Sequence, residues 1–130
     1  MSGRRPPDSE IAVRVIAMPA DTNLNGDIFG GWLMSHMDLA AGTAAFRRAR
    51  GRVVTVAVDG MTFHKPVAVG DEVTMYARIQ STGRTSIRIF VEAWRRGRTT
   101  EDCVKVTEAT FIYVAIDEHG RPTPLPPAEA

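Results

Sequence analysis

The chain has 130 residues, of which 44% are apolar and 24% are charged, and its formal net charge is +1. This length suits one domain with a hydrophobic core and is short for two. A nearly neutral charge argues against a nucleic-acid-binding surface as the main function. The single cysteine, Cys103, excludes an intrachain disulfide and a cysteine-based metal cluster.

The sequence shows no segment that would target or anchor the chain to a membrane. No apolar run approaches the roughly 20 residues of a spanning helix, and the first ten residues lack the apolar core of a signal peptide. We therefore expect a cytoplasmic protein. Residues 1–10 and 119–130 are polar and rich in proline, which predicts two flexible tails around one domain, 11–118.

The basic residues are almost all arginines. A guanidinium group suits bidentate contacts with phosphate better than an ammonium group does. This composition either indicates a small phosphorylated ligand or reflects a coding preference for arginine.

The first predicted strand is the β-branched stretch IAVRVIAM, residues 11–18, which ends before a proline. A loop over residues 20–29 follows, and its Asn, Asp and Gly residues favour turns. From Gly31 to about Arg50, apolar residues cover nearly the whole circumference of a helix. We expect this helix to be buried on most sides, with Gly51 as the cap at its C-terminal end.

The rest of the chain has the pattern of an antiparallel sheet. The predicted strands are 53–64, with Gly60 as a bulge or bend, then 72–80, 86–94 and 103–116. A long sheet that curls around one largely buried helix hides the apolar faces of both, which places the chain in the α+β class. The free edges of such a sheet favour pairing with a second copy, so we expect a dimer.

Asp38 is the first candidate for chemistry. It lies among methionines and alanines of the helix, and no cation stands three or four residues away. A buried carboxylate without a partner is costly. It is either a functional group or a structural one that reaches solvent or a neighbouring chain.

The second candidate is the pair Gly30 and Gly31 at the start of the helix. Glycines let another group approach the backbone, and free N–H groups at a helix start can hold an oxyanion or a carbonyl oxygen. Alternatively, the pair merely lets the helix start touch another strand. Asn23, in the preceding loop, either donates to a carbonyl or water or simply forms the turn.

Other common kinds of site are not indicated. His36, His64 and His119 show no spacing typical of metal ligands, so we expect no metal site. His36 and Asp38 are two residues apart on a helix and therefore point in different directions. A serine nucleophile would need a Gly-x-Ser-x-Gly elbow, which the sequence lacks.

Three long blocks of sequence identify a family. PADTNLNGDIFGGWLMSHMD, GRVVTVAVDGMTFHKPVAVGD and EATFIYVAID, within residues 11–125, resemble the YciA-type acyl-CoA thioesterases of the hotdog fold. The resemblance implies a long antiparallel sheet wrapped around one central helix. It also implies edge-to-edge homodimers that assemble further, as a trimer of dimers in the hexameric case, with a tetramer still open. The implied reaction is hydrolysis of acyl-CoA, with coenzyme A as part of the substrate and no separate cofactor.

The resemblance also assigns roles to residues. Asp38 corresponds to the catalytic carboxylate, as general base or nucleophile, and Asn23 to its partner from the facing subunit. Gly31, beside Gly30, supplies a backbone N–H to the thioester carbonyl. His36 and His64 stand where the family has other residues. Contacts with coenzyme A are expected at Lys65, Pro66, Thr82, Gly83, Arg84, Thr85 and Ser86.

Two alternatives stay open at this point. The domain could bind acyl-CoA without catalysis, or it could be an enoyl-thioester hydratase or dehydratase. The latter enzymes carry a catalytic histidine in the loop before the helix, and residues 19–30 contain none. Thioester hydrolysis fits the residues better, because thiolate is a fair leaving group and the reaction needs only a carboxylate and oxyanion donors.

Overall fold

The computed structural model describes residues 11–128, so the predicted tail 1–10 lies outside the described residues. The elements are β1 (Ile11–Ile16), a short 3-10 turn (Pro19–Asp21), α1 (Gly30–Ala49), β2 (Val53–Phe63), β3 (Glu72–Thr82), β4 (Ser86–Arg96) and β5 (Cys103–Ala115). The predicted order of one strand, one helix and four long strands is confirmed, with ends that differ by one or two residues.

All pairs of neighbouring strands in the sheet are antiparallel, and the strand order is β1-β3-β4-β5-β2. β1 and β2 are therefore the edge strands of the described sheet. The pairing of β2 with β5 shifts between Asp59 and Thr62, and Gly60 has a φ of 65°. The predicted bend at Gly60 is confirmed, because glycine adopts this positive φ without steric cost.

The long helix packs across the sheet and contacts all five strands. Its buried residues recur every three to four positions, which is one stripe of a helix. They are Leu33, Met37, Ala40, Ala41, Ala45 and Ala49. The alanines bring the helix close to the sheet, whose inner face contributes larger side chains such as Met75, Ile89 and Phe111. Each of these larger side chains stabilises the fold by about 1.5–3 kcal/mol when fully buried.

The prediction that the helix is buried on most sides is wrong for a single protomer. Leu39 is 61% exposed and Phe46 is 55% exposed. One sheet covers only one side of a helix, so the apolar residues on the other sides stay uncovered. A second copy of the chain can cover this remaining apolar surface.

The C-terminal end of the helix also differs from the prediction. The residue in the left-handed conformation is Arg50, with φ 50° and ψ 40°, and not Gly51. Its N–H donates a hydrogen bond of 2.8 Å to the carbonyl of Phe46. This conformation costs about 1 kcal/mol for a residue with a Cβ. Contacts of the Arg50 side chain, including one of 3.5 Å to the Pro127 carbonyl, offset part of that cost.

Residues 119–128 are docked on the domain, where the sequence predicted a flexible tail. The Thr123 N–H donates to the Ala115 carbonyl at 2.9 Å, and the Leu125 N–H donates to the Arg84 carbonyl at 2.9 Å. Leu125 also packs against the core. Prolines suit such a segment because their fixed φ lowers the entropy lost on docking. None of the helices in the described part of the chain is long and apolar enough to cross a membrane.

Candidate active site

Asp38 is a half-buried carboxylate on the side of α1 that faces β2 and β5. Its Oδ1 accepts a hydrogen bond of 2.7 Å from the Thr55 hydroxyl and another from the Tyr113 hydroxyl. The Tyr113 hydroxyl also lies 2.9 Å from the backbone carbonyl oxygen of Asp38. Both donors therefore hold the same carboxylate oxygen. Among the described residues, no hydrogen bond involves Oδ2, so this oxygen keeps its capacity to accept one.

The prediction of a carboxylate without a partner is wrong. The two donors are 17 and 75 residues away along the chain, on strands rather than on the helix. Helix spacing identifies only neighbours three or four residues away, so it could not find them. Asp38 is fixed by neutral hydroxyl groups, and no ion pair forms at this carboxylate within residues 11–128.

Strand register brings the two hydroxyls together. Thr55 on β2 and Tyr113 on β5 are directly paired in the sheet. Side chains of directly paired residues lie on the same face, about 4.5–5.5 Å apart at Cβ. The face they share is the one that packs against α1, so both hydroxyls converge on Asp38.

Tyr113 is suited to a donor role because it is 2% exposed. Burial, followed by its hydrogen bond with Asp38, raises the pKa of the Tyr113 phenol well above the ordinary value of about 10, and Thr55 opposes this only in part. The phenol is therefore protonated at neutral pH and donates its hydrogen bond permanently.

The two glycines at the start of α1 have different surroundings. A Cβ on Gly30 would lie 3.1 Å from the Phe63 ring, so Gly30 allows the end of β2 to pack on the helix start. A Cβ on Gly31 would meet nothing within 4 Å, and Gly31 is exposed. For Gly30, the alternative that the glycine merely lets the helix start touch another strand is therefore the better one. Gly31 presents an accessible backbone at the positive end of the helix dipole, where the first N–H groups have no acceptor within the helix.

Asn23 organises its own loop. Its side-chain oxygen accepts hydrogen bonds from the N–H groups of Asn25 at 2.9 Å and Asp27 at 3.1 Å. Its backbone N–H donates to the Asp27 carbonyl at 2.7 Å. These contacts support the turn-forming interpretation and orient the amide, whose NH2 end is the part that can donate outside the loop.

The three predicted catalytic residues do not converge within one protomer. Gly31 and Asp38 are seven residues apart in α1, a rise of about 10 Å, so one thioester carbonyl cannot reach both. No hydrogen bond joins Asn23 to Asp38 in the described part of the chain. A site that uses all three residues therefore requires groups from two chains.

The residues predicted to contact coenzyme A lie at opposite ends of the sheet. Residues 65–66 are exposed and follow the end of β2 that pairs with Thr107. The turn 82–86 joins β3 to β4, and Ser86 pairs with Val114. Thr107 and Val114 are seven residues apart in β5, about 24 Å, so one protomer does not bring the two groups together.

The histidines lie apart from this carboxylate. His64 and His119 are exposed. The His36 ring contacts Trp32 edge-on with centroids 4.5 Å apart, and its buried Nδ1 has no hydrogen-bond partner within the described residues. Residues 11–128 contain no group of three His, Cys, Asp or Glu side chains placed to hold a metal ion.

Sequence reasoning missed Thr55 and Tyr113. Both lie in strands, where a threonine and a tyrosine are ordinary residues. What identifies these two residues is the register of β2 against β5, which places the only tyrosine of β5 opposite a threonine. That register becomes visible only in the folded sheet.

The chain matches a family model and several curated proteins and solved structures. The model described as thioesterase superfamily matches residues 25–101. The acyl-CoA thioester hydrolase YciA of Salmonella typhimurium is 56% identical over 123 residues, which cover 92% of each chain. The structure of a hexameric thioesterase from Yersinia pestis has 54% identity and a TM-score of 0.88, covering 94% of this chain and 100% of that chain.

A more distant structure has the same fold. An acyl-CoA hydrolase from Staphylococcus aureus, solved with butyryl coenzyme A, coenzyme A and coenzyme A disulfide, has 28% identity and a TM-score of 0.81. The match covers 88% of this chain and 70% of that one. An antiparallel sheet around one long helix, shared with these thioesterases, is the hotdog fold. The chain belongs to the thioesterase superfamily and, within it, to the YciA-type acyl-CoA thioester hydrolases, as the three sequence blocks predicted.

Proposed function

We propose that this protein hydrolyses acyl-CoA thioesters to the free acid and coenzyme A, at sites that two protomers complete. The observation that supports this best is the geometry of Asp38, whose Oδ1 is held by Thr55 and Tyr113 while Oδ2 accepts no hydrogen bond from the described residues. The Salmonella relative with 56% identity carries the name of this activity. A carboxylate fixed on one oxygen is positioned for reaction through the other.

Asp38 can act in two ways. As a general base, it takes a proton from a water whose oxygen attacks the thioester carbon. As a nucleophile, it attacks that carbon itself and forms a mixed anhydride, which water then hydrolyses. In both cases the carbon–sulfur bond breaks and the thiolate leaves, so the reaction needs no metal and no further cofactor.

Gly31 is the proposed donor to the thioester oxygen. Negative charge develops on this oxygen in the transition state, and a helix N-terminus is suited to stabilise it. Because Gly31 lies about 10 Å along the helix from Asp38 of the same chain, the donor comes from the partner. The NH2 group of Asn23 lies in the same loop–helix segment as Gly31, so it comes from the same partner chain.

The β2 edge is the proposed interface. β2 carries Thr55, lies at the edge of the sheet and exposes apolar side chains. Val54 is 41% exposed, Val56 54% and Phe63 47%. An exposed apolar edge favours pairing with another strand. The Yersinia relative is a hexamer, and we propose a trimer of dimers for this chain as well.

The two groups of coenzyme A contacts fit the same arrangement. Residues 65–66 and 82–86 lie too far apart to hold one coenzyme A within a protomer. In a dimer, the group from one chain can face the group from the other. We propose that the substrate is held in this way, with Gly30 and Gly31 near its thioester end.

The test is a panel of acyl-CoAs of different chain lengths, with release of free thiol as the readout. The matched variant is Asp38→Asn, because an amide oxygen still accepts from both hydroxyls and should preserve the fold. We expect turnover of at least one substrate and a loss of about 10²–10⁴ in the variant. No thiol release from any acyl-CoA would refute the proposal. Binding without release, unchanged in the variant, would instead indicate a non-catalytic binding module.

A further inference from the structure

One side chain, that of Phe63, joins the end of β2 to the start of α1. A Cβ on Gly30 would lie 3.1 Å from Cζ of the Phe63 ring and 3.6 Å from each of its two Cε atoms. The ring therefore meets the helix start with its tip. Phe63 as a whole is 47% exposed, so the rest of the ring presents apolar surface outside the protomer.

The strand end that carries Phe63 is itself held in place. Phe63 is paired in the sheet with Thr107, which is fully buried. The Thr107 hydroxyl donates a hydrogen bond of 2.5 Å to the Thr62 carbonyl, and the His64 N–H donates one of 2.7 Å to the Val106 carbonyl. These bonds, one on each side of Phe63, fix the backbone from which its ring reaches α1.

The helix start that the ring touches carries two N–H groups that are free to donate. The Phe29 carbonyl accepts hydrogen bonds from the Trp32 N–H at 3.1 Å and the Leu33 N–H at 3.3 Å. Within residues 11–128, no hydrogen bond uses the N–H groups of Gly30 and Gly31. The proposed donor to the thioester oxygen is therefore next to the residue on which the ring rests.

Within one chain, the ring is separated from the candidate carboxylate. Gly30 is eight residues before Asp38 in α1, a rise of about 12 Å. Thr55, whose hydroxyl holds Asp38, lies near the opposite end of β2 from Phe63. The ring of the same chain is therefore not a neighbour of Asp38.

The proposed pairing of two β2 edges brings the ring of the partner to this carboxylate. A twofold interface is reciprocal, so that if residue i faces residue j of the partner, j also faces i; an antiparallel pair of strands meets this condition. β2 has 11 residues, Val53–Phe63, so pairing over its whole length centres on Val58. The Phe63 end of one chain then lies beside the Thr55 end of the other.

We infer that Phe63 is a positioning residue, which holds the N–H donors of its own helix start against Asp38 of the partner chain. This inference rests on the proposed function. The ring contacts the helix start at one end and belongs to the paired strand at the other, so it fixes the donors relative to the interface. An apolar ring beside these donors also limits the access of water, which strengthens a hydrogen bond to a developing oxyanion.

The first test removes only the part of the ring that touches the helix start. Phe63→Leu keeps an apolar side chain at the β2 edge and deletes Cζ and both Cε atoms. We expect kcat and kcat/KM for acyl-CoA to fall together by about tenfold, since a displaced donor weakens binding of the transition state. The matched control is Phe90→Leu on β4, where the ring lies under the Arg78 guanidinium, 5.0 Å from the ring centroid. The control should keep its kcat.

A merely adhesive role of Phe63 at the interface makes a different prediction. The leucine variant would then lose activity only as far as the oligomer dissociates, which sedimentation velocity measures, and such a result would overturn the inference. An equal kcat in Phe63→Leu and Phe90→Leu, in a protein that is otherwise active, would also overturn it. If the unmodified protein releases no thiol from any acyl-CoA, the proposed function fails and the inference fails with it.

The second test restores the contact from the side of the helix. In the double variant Gly30→Ala with Phe63→Leu, the new methyl group occupies the space that the ring tip has left. We expect a higher melting temperature and a higher kcat than the sum of the two single effects predicts. The melting temperatures report this contact even without any hydrolysis. Purely additive effects on kcat would contradict a positioning role.

The third test decides which chain the ring serves. Phe63→Leu is co-expressed with an excess of Asp38→Asn, so that most intact Asp38 side chains face an intact Phe63 of the partner. We expect kcat per intact Asp38 to rise about tenfold, toward that of the unmodified protein. If kcat per intact Asp38 stayed at the value of Phe63→Leu alone, the ring would act within its own chain and the inference would be overturned.

Discussion

At the scale of single residues, the character of Asp38 depends on two hydroxyl groups from distant strands. A hydrogen bond to a charged group contributes about 1.5–3 kcal/mol, more than one between neutral groups. Thr55 is exposed, whereas Tyr113 is 2% exposed, and close packing restricts a buried ring more than an exposed hydroxyl. Tyr113 is therefore the more rigid of the two constraints on the carboxylate.

We predict that Tyr113→Phe lowers kcat about tenfold and leaves KM unchanged, since a carboxylate held by one hydroxyl samples more orientations. Phenylalanine fills the same buried space, so the fold should persist, with a melting temperature lowered by several degrees through the loss of one hydrogen bond to the carboxylate. Steady-state kinetics and thermal unfolding check both statements. Tyr76→Phe is the matched control, because Tyr76 is the other tyrosine of the chain and is 8% exposed. An unchanged kcat in Tyr113→Phe would remove this residue from the positioning of Asp38.

At the scale of elements, the start of α1 contains two glycines with different surroundings. Gly30 gives Phe63 room, and Gly31 leaves the backbone accessible. Neither has a positive φ, so neither is needed for an unusual backbone conformation. The helix would be more stable with alanine at an unhindered position, by up to about 1 kcal/mol. A glycine at position 31 therefore fits the proposed approach of the thioester to this backbone.

We predict that Gly31→Ala keeps or raises the melting temperature while it lowers turnover severalfold, because the new methyl group crowds the thioester. Gly30→Ala should instead lower the melting temperature, since its Cβ would lie 3.1 Å from the Phe63 ring. Thermal unfolding and thiol release, measured on both variants, check the contrast. Full activity in Gly31→Ala would contradict the proposed role of this segment.

At the scale of the whole molecule, a single protomer is incomplete in two respects. Its central helix leaves Leu39 and Phe46 exposed, and its β2 edge leaves Val56 exposed. Its three proposed catalytic residues also do not meet within one chain. We propose one remedy for both features, a second copy of the chain against the β2 edge.

We predict that two inactive variants restore activity when they are co-expressed. If Asp38 of one chain meets Asn23 of the other, a mixed dimer of Asp38→Asn and Asn23→Ala contains one site with both residues intact. Random mixing then gives about a quarter of the activity of the unmodified protein. Each variant alone, purified in the same way, is the control. If both residues acted from the same chain, the mixture would show no gain over the separate variants.

The order of elements followed from the sequence because each element carries a local signal. Alternation predicted β3 and β4, and apolar density predicted α1. Gly60 marked the bend in β2. The helix end was misplaced because Arg50, and not a glycine, takes the left-handed conformation. Contacts of Arg50 with the docked C-terminal segment support that choice, and they join residues 77 positions apart.

The candidate site also has one part that the sequence predicts and another that only the structure shows. The sequence by itself determined the family, the order of elements and the candidates Asn23, Gly31 and Asp38, because motif, periodicity and residue type are local properties. Only the tertiary structure decided that Thr55 and Tyr113 hold Asp38, and that Gly30 and Gly31 have different surroundings. It also decided that no hydrogen bond joins Asn23 to Asp38 in the described part of one chain. These facts depend on strand register and on distances between elements, and neither is contained in any short stretch of residues.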